Sequence, residues 1–393
     1  MNEVTLAITG IGRRGEGLAR HAGVPVFVPG TLPGETVRAS LDGARAGLVD
    51  VTIASPERMQ PFCPHYYSCG GCQLQHWREP PYRSWKTALV ETALRGRGIT
   101  ANVRMLIDAH GAGRRRVSIH VRRNGGIVTA GFMVARSHRL LDLDHCPVLV
   151  PALSPAFDIA RAIGARTGES DVALTATDAG IDASVKAGRR IIEQEMAKFA
   201  ALAASLDLAR LSVNGSAIVT ARPPLVAMGK ARIVLPPGAF LQATAEGEAV
   251  LARLVAEGLG KARNVADLFC GCGPFTFRLA ETAKVSAFDN DRPAIAAVVA
   301  AARDLFREPL VANELKVFDA VVFDPPRAGA EAQARQLAKS TVKTVVAVSC
   351  DPASLARDAA ILIAGGYGLE AVTAVDQFKW TSHVESVAVF RRS

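Results

Sequence analysis

The chain lacks an apolar run long enough for a membrane helix, which needs about 18 consecutive residues. Its start, Met1-Asn2-Glu3, lacks the basic-then-apolar pattern of a secretory signal. A cytoplasmic location and no membrane partner are therefore expected. Internal repeats and low-complexity tracts are also missing, which excludes solenoids and arrays. Charged residues make up only 21% against 49% hydrophobic, so the chain is globular and not disordered. Lysine is scarce in the first 150 residues, where arginine supplies nearly all the positive charge. An even complement of cysteines is absent too. Seven in an apparently cytosolic chain argue against a disulfide framework and for metal ligation or catalysis.

The 393 residues allow two or three domains. The net charge of +9 is unevenly placed. Residues 1–150 hold 19 Lys+Arg against 11 Asp+Glu, whereas residues 151–393 hold 27 against 26. The clusters Arg114-Arg115-Arg116, Arg122-Arg123 and Arg136/Arg139 offer planar forks suited to phosphates. RNA or DNA is the expected partner, although arginine-rich composition alone gives a basic surface as well.

Residues 1–56 read as short strands with glycine turns. Val4, Leu6 and Ile8 alternate with other residues, and Val24–Val28 comes next, so a small OB-like β-barrel is predicted. Residues 57–234 read as a central α+β domain. It opens on a cysteine-rich loop, then a helix over Tyr82–Leu94 with Trp85, Ala88, Leu89, Thr92 and Ala93 on one face. That helix is a candidate to pack with the next domain. A hairpin comes after it, turning at Asn124-Gly125-Gly126. Residues 235–393 have a β-α-β rhythm, with strands near 263–268, 284–289, 319–324 and 342–349. Helices are read over Ala294–Ala302, Ala330–Leu337 and Pro352–Ile363. The fold class is α/β: a Rossmann-like, doubly wound sheet behind the barrel and the central domain. Ala371–Val375 and Val384–Phe390 are expected to form an antiparallel hairpin on its edge.

Cys63-x5-Cys69-x2-Cys72 with the distant Cys146 makes a four-thiol set. Four thiolates suit a [4Fe–4S] cluster or tetrahedral zinc. Structural zinc usually takes two short pairs, so three close cysteines and one remote lean toward the cluster. The C-x3-C-x2-C loop of radical enzymes is absent, which points to a structural cluster.

Three reactive groups each come directly after an apolar run, where open parallel sheets bind ligands. The first is Asp267-Leu268-Phe269-Cys270-Gly271-Cys272-Gly273. The dinucleotide fingerprint wants a small residue where Thr276 stands, so an adenosyl group without phosphates fits better. Asp289, ending the next strand, can accept from ribose hydroxyls, and Asp324 ends another. S-adenosylmethionine is the expected cofactor. Cys270 and Cys272 read as packing residues. Cys350 opens a helix, a position that favours a thiolate. Glu385 lies in an apolar run, where burial would raise its proton affinity and suit it as a base. An inert buried thiol and an exposed edge carboxylate are the plainer alternatives.

Together these pieces resemble the RNA 5-methyluridine methyltransferases over nearly the whole chain, and among them the iron–sulfur enzymes with a TRAM domain that act on 23S ribosomal RNA. The resemblance implies a TRAM barrel at residues 3–53 and [4Fe–4S] ligands at Cys63, Cys69, Cys72 and Cys146. It implies cofactor contacts at Gln242, Phe269, Gly271, Gly273, Asp289, Asp304 and Asp324. It also implies Cys350, in Ser349-Cys350-Asp351-Pro352, as nucleophile and Glu385, in His383-Val384-Glu385-Ser386, as general base. The implied reaction is C5-methylation of a uridine through a covalent Cys–C6 adduct. 23S ribosomal RNA is favoured as the partner, transfer RNA is the second choice, and no obligate protein partner is evident. Pro274 and Asp351 stand where the family usually has asparagine, and the stretch from Asp289 to Asp324 is short enough to abbreviate a strand. Tyr66, Tyr67, His76 and Trp77 are candidate base-stacking surfaces, and residues 110–140 a candidate phosphate surface. An amino-group methyltransferase built on Asp324-Pro325-Pro326, a non-catalytic RNA-binding protein and a redox protein are the competing readings.

Overall fold

The computed structural model describes residues 3–298 and 300–392. The N-terminal sheet has six strands, from Glu3–Ala7 to Arg45–Ile53, and curls on itself. Inward positions Leu6, Ile8, Val26, Val28, Val37 and Ala39 fill it, as the alternation predicts. Gly17 is required by close approach, since a Cβ there would run into the Thr31 hydroxyl.

The second sheet has seven strands, running in space from Leu140–Asp142 through Ile127–Met133 and Arg116–Asn124 to Ser216–Thr220. The hairpin turns at Gly125 as read, with Asn124 opposite Ile127. Helices Ala156–Thr167 and Glu193–Ser205 cover one face, and Phe157, Ile163, Val172 and Val185 form its core.

The third sheet has eight strands, in the order Ala301–Ala302, Lys284–Asp289, Asn264–Leu268, Ala320–Phe323, Thr344–Ser349, Glu385–Arg391, Gly368–Asp376 and Val103–Asp108. The first five are mutually parallel, and Glu385–Arg391 runs antiparallel to both its neighbours. All six residues of Thr344–Ser349 are buried, as a strand covered on both faces requires. Ala245–Leu259 packs on one face; Pro352–Ala364, Glu331–Ala338 and Glu79–Arg95 pack on the other. Order reverses between Asn264–Leu268 and Ala320–Phe323, a switch point that opens a crevice beyond their carboxyl ends.

Three expectations change. The C-terminal hairpin is internal, because Val103–Asp108 adds in parallel to Gly368–Asp376 and becomes the edge. The helix expected over Ala294–Ala302 is confined to Arg292–Ala296, and Ala301–Ala302 forms a two-residue strand. The helix Glu79–Arg95 buries Tyr82, Lys86, Val90 and Leu94, whereas the face carrying Trp85, Ala88, Leu89, Thr92 and Ala93 lines an open cleft. Among the described residues no helix is long and apolar enough to cross a membrane.

Candidate active site

The loop after Asn264–Leu268 turns through three left-handed residues: Phe269 at φ 60°, Gly271 at 51° and Gly273 at 82°. Glycine takes these angles freely, but Phe269 is strained, a cost accepted mostly at ligand sites. Asp267 anchors the loop from below: it is fully buried and accepts from Thr276 Oγ1 at 2.5 Å. Burial, with Asp324 and Asp289 nearby, pushes its carboxyl up to about 7. Asp289 Oδ2 accepts from Gly271 N at 2.9 Å and Oδ1 from Asp291 N at 2.9 Å. The acidic strand end is thereby tied to the glycine turn, with lone pairs left for ribose hydroxyls. Asp304 is a turn former here, its Oδ1 accepting from Phe306 N and Arg307 N. Cys270 and Cys272 are buried in apolar clusters, as packing residues.

At the next two strand ends stand Asp324 and Cys350, with Glu385 opening the antiparallel strand beside them. Glu385 is 3% exposed; its Oε1 accepts from Gln377 Nε2 at 3.0 Å, and its Oε2 has no partner among the described residues. Desolvation raises its carboxyl above the usual range, and raises Asp324 likewise, with Glu385 adding to the latter by repulsion. Asp324 Oδ2 accepts from Gln242 Nε2 at 2.9 Å.

Cys350 is half-buried and faces a cleft of about 1060 Å³. Its thiol departs from expectation. Burial, then Glu385 and Asp324, push it up to about 12. Asp351 caps the helix that Cys350 precedes, accepting from Ala353 N at 2.8 Å and Ser354 N at 3.1 Å. His383 sits in the loop before the strand, not on the strand face beside Glu385. Its Nε2 accepts from Arg327 Nη2 at 3.2 Å, and burial with nearby cations pushes its pKa down to about 4. The imidazole is thus neutral at physiological pH.

The cleft lies between the N-terminal sheet and the Glu79–Arg95 helix. Arg13, Arg14, Arg45, Arg97 and Arg327 line it beside the partly exposed Trp85. Arg13 crosses it to pair with Asp351 Oδ2 at 2.8 Å. Guanidinium forks beside an aromatic face suit a single-stranded polyanion. Of the expected phosphate surface at residues 110–140, Arg123, Arg136 and Arg139 are exposed, whereas two arginines turn inward. Arg115 is buried against Glu248, and Arg116 donates to Leu241 O and lies over the Phe240 ring. Three of the proposed stacking rings are also core: Tyr66, His76 and Trp77 are buried, and only Tyr67 is exposed.

Cys63, Cys69, Cys72 and Cys146 line one cavity of about 640 Å³, all as free thiols. Burial pushes Cys72 up to about 12, with Cys146 and Cys69 adding to it. Four thiols opening on one cavity supply the donor set of a tetrathiolate centre. Arg114 lies nearby with Nε and Nη2 buried and unpartnered among the described residues, a charge suited to an anionic tetrathiolate centre. The residues present therefore fit a bound metal group. The loop also braces the active site, since Gln73 N and Leu74 N both donate to Trp380 O, at 2.8 and 3.0 Å.

Two residues escaped the sequence reading. Gln377 bridges Gln242 and Glu385, and Lys86 is buried against Asp376. A polar pair, Asp376-Gln377, closing an apolar strand was the available signal. Lys86 gave none, because its acidic partner is 290 residues away.

Residues 295–393 match the family described as tRNA (Uracil-5-)-methyltransferase, and residues 2–48 match the TRAM domain. An RNA methyltransferase of Brucella suis is 46% identical over 98% of this chain and 97% of the relative. A protein of Halomonas elongata described as a 23S rRNA (uracil(1939)-C(5))-methyltransferase is 36% identical over 97% of this chain and 88% of its own. Pyrococcus abyssi tRNA (uracil-54, C5)-methyltransferase, solved with S-adenosyl-L-homocysteine, superposes with a TM-score of 0.74 at 21% identity. That match covers 98% of this chain and 100% of that one, a likeness of fold.

Proposed function

The chain belongs to the S-adenosylmethionine-dependent RNA uracil-5-methyltransferases, and we propose that it methylates one uridine of 23S ribosomal RNA through a covalent adduct of Cys350 with C6 of the ring. The observation that carries this reading is the convergence of a half-buried thiol and a buried carboxylate with an unpartnered oxygen on one crevice. The arginine-lined cleft that reaches Cys350 from solvent supports a polyanionic substrate. The Halomonas elongata relative favours the large ribosomal RNA.

Uracil C5 is a weak nucleophile. Addition of the Cys350 thiolate to C6 places electron density on C5, which then takes the methyl group. When bound, S-adenosylmethionine would supply that methyl and a sulfonium charge opposing the carboxylate repulsion that raises the Cys350 thiol. Gln242, Phe269, Gly271, Gly273, Asp289 and Asp324 would hold the cofactor, and Asp304 shapes the adjoining turn. Glu385 Oε2 removes the C5 proton, the electron pair closes the C5–C6 double bond, and the C6–S bond breaks to return the thiolate. Asp324 and Glu385 are both buried and repel each other as anions, so the pair resists ionising together. The target uridine must leave its stack to reach Cys350.

Cys63, Cys69, Cys72 and Cys146 would hold a [4Fe–4S] cluster, whose role here is to fix the loop that carries Trp380. Anaerobically purified protein is expected to contain roughly four irons with matching acid-labile sulfide. Substituting Cys72→Ser should remove them, and one zinc without sulfide would overturn this assignment. The proposed reaction is tested by mapping 5-methyluridine in total RNA from cells lacking the protein. One 23S site should revert to uridine. A transfer RNA site reverting instead would overturn the substrate, and no change at all would overturn the reaction.

A further inference from the structure

Gln377 is fully buried just beyond the strand Gly368–Asp376, and its chain neighbours Asp376 and Phe378 are both held by the Glu79–Arg95 helix. Asp376 accepts from Tyr82 Oη at 2.6 Å and pairs with Lys86 Nζ, which also donates to Phe378 O at 3.2 Å. The side-chain amide can point only one way. Ala243 N donates to Gln377 Oε1 at 2.9 Å, and a backbone N–H cannot accept, so the amino end faces the other side. Its two hydrogens go to Gln242 Oε1 at 2.6 Å and Glu385 Oε1 at 3.0 Å. Gln242 is then forced to turn its own Nε2 to Asp324 Oδ2, at 2.9 Å. One backbone N–H thus sets the polarity of two amides and the hydrogen bonds of two carboxylates. Packing holds the arrangement, since a Cβ at Gly247 would lie 2.7 Å from Gln377 Oε1 and 2.7 Å from its Cβ.

We infer that Gln377 is a positioning residue for the last step of the reaction: it occupies Glu385 Oε1 and leaves Oε2 as the atom that takes the C5 proton. The inference rests on Glu385 being the base. Thiol addition and methyl transfer do not use Oε2, whereas breaking the C5–H bond and expelling the thiolate do. Loss of the Gln377 donor therefore slows elimination more than the earlier steps. Asp324, Cys350, Arg327 and Lys86 are the charged or titratable groups around Glu385, and none of them hydrogen-bonds it among the described residues.

The test is Gln377→Met in the full chain, with RNA and cofactor saturating. kcat should fall roughly 10- to 100-fold, the scale of one hydrogen bond to a charged group. KM for RNA and for cofactor should move far less. The fraction of enzyme carrying covalently bound, methylated RNA should rise. The acid limb of the rate profile should shift to higher pH, because the ionised carboxylate has lost its donor. Gln377→Glu is the second variant. It can donate only while the pair shares a proton, so its activity should collapse on the alkaline side where the wild type holds steady. Slow turnover of Gln377→Met without adduct and with an unmoved acid limb overturns the inference; so does Gln377→Glu without alkaline collapse, which decides the matter if the methionine variant fails to fold. If Glu385→Gln traps the adduct and Gln377→Met does not, the positioning role fails and the base stands. If neither traps it, the assignment of Glu385 itself fails.

Discussion

Replacing Cys350 by alanine is expected to lower methyl transfer by on the order of 10⁴-fold or more, the scale on which a covalent nucleophile acts. RNA binding should stay close to wild type. The thiol is half-buried at the cleft wall and pushed up to about 12 in the free protein, so the substitution removes no resting charge and leaves a void of one sulfur. The cleft's positive charge comes from other residues, among them Arg13, Arg14, Arg45 and Arg97. In the proposed route the bond to C6 is what disappears, and C5 is left a weak nucleophile. A methylation assay beside an RNA-binding isotherm separates the two effects. Undiminished methylation would sink the covalent route and return the amino-group methyltransferase reading, which needs no thiol.

Glu385→Gln should give the opposite signature, a protein that starts the reaction and cannot finish it. The amide keeps the shape of the side chain, and its oxygen still accepts from Gln377 Nε2, so the strand Glu385–Arg391 is undisturbed. The proton acceptor is gone. Turnover should fall about 10²- to 10⁴-fold, the usual contribution of a general base. A methylated RNA–protein species should persist on a denaturing gel. The pH dependence comes from the same carboxyl. Its ionised form is the active one and burial raises its pKa, so wild-type turnover is lost as pH falls through a value above the usual carboxylate range. The residual rate of Glu385→Gln should lack that limb. Normal product with no trapped species would exclude Glu385.

Much of this molecule was legible in its sequence because the signals were local. The strands Asn264–Leu268, Lys284–Asp289, Ala320–Phe323 and Thr344–Ser349 announce themselves as apolar runs, and a glycine turn, an aspartate or a cysteine stands at the carboxyl end of each. The features that escaped depend on distant pairing. Nothing near Val103–Asp108 says that it will join a strand made more than 250 residues later. Nothing near Cys350 says that burial beside Asp324 and Glu385 will push its thiol up. The helix face with Trp85, Leu89 and Ala93 has the right spacing for a core, yet those positions pack against it only in part and also line a cleft, while Lys86 is buried. An apolar stripe shows which side is not fully solvated; it does not separate a packed interior from a wall meant for a ligand.

The edge strand Val103–Asp108 also constrains how the chain comes into being. It and the Glu79–Arg95 helix leave the ribosome early, but the surface they cover is completed only by Gly368–Asp376 and Glu385–Arg391 at the far terminus. Until then their apolar residues have nowhere to go, and such long-range pairing is slow. The catalytic sheet therefore closes only after Glu385–Arg391 is made, whereas the N-terminal sheet and the seven-stranded sheet fill cores of their own from nearer segments.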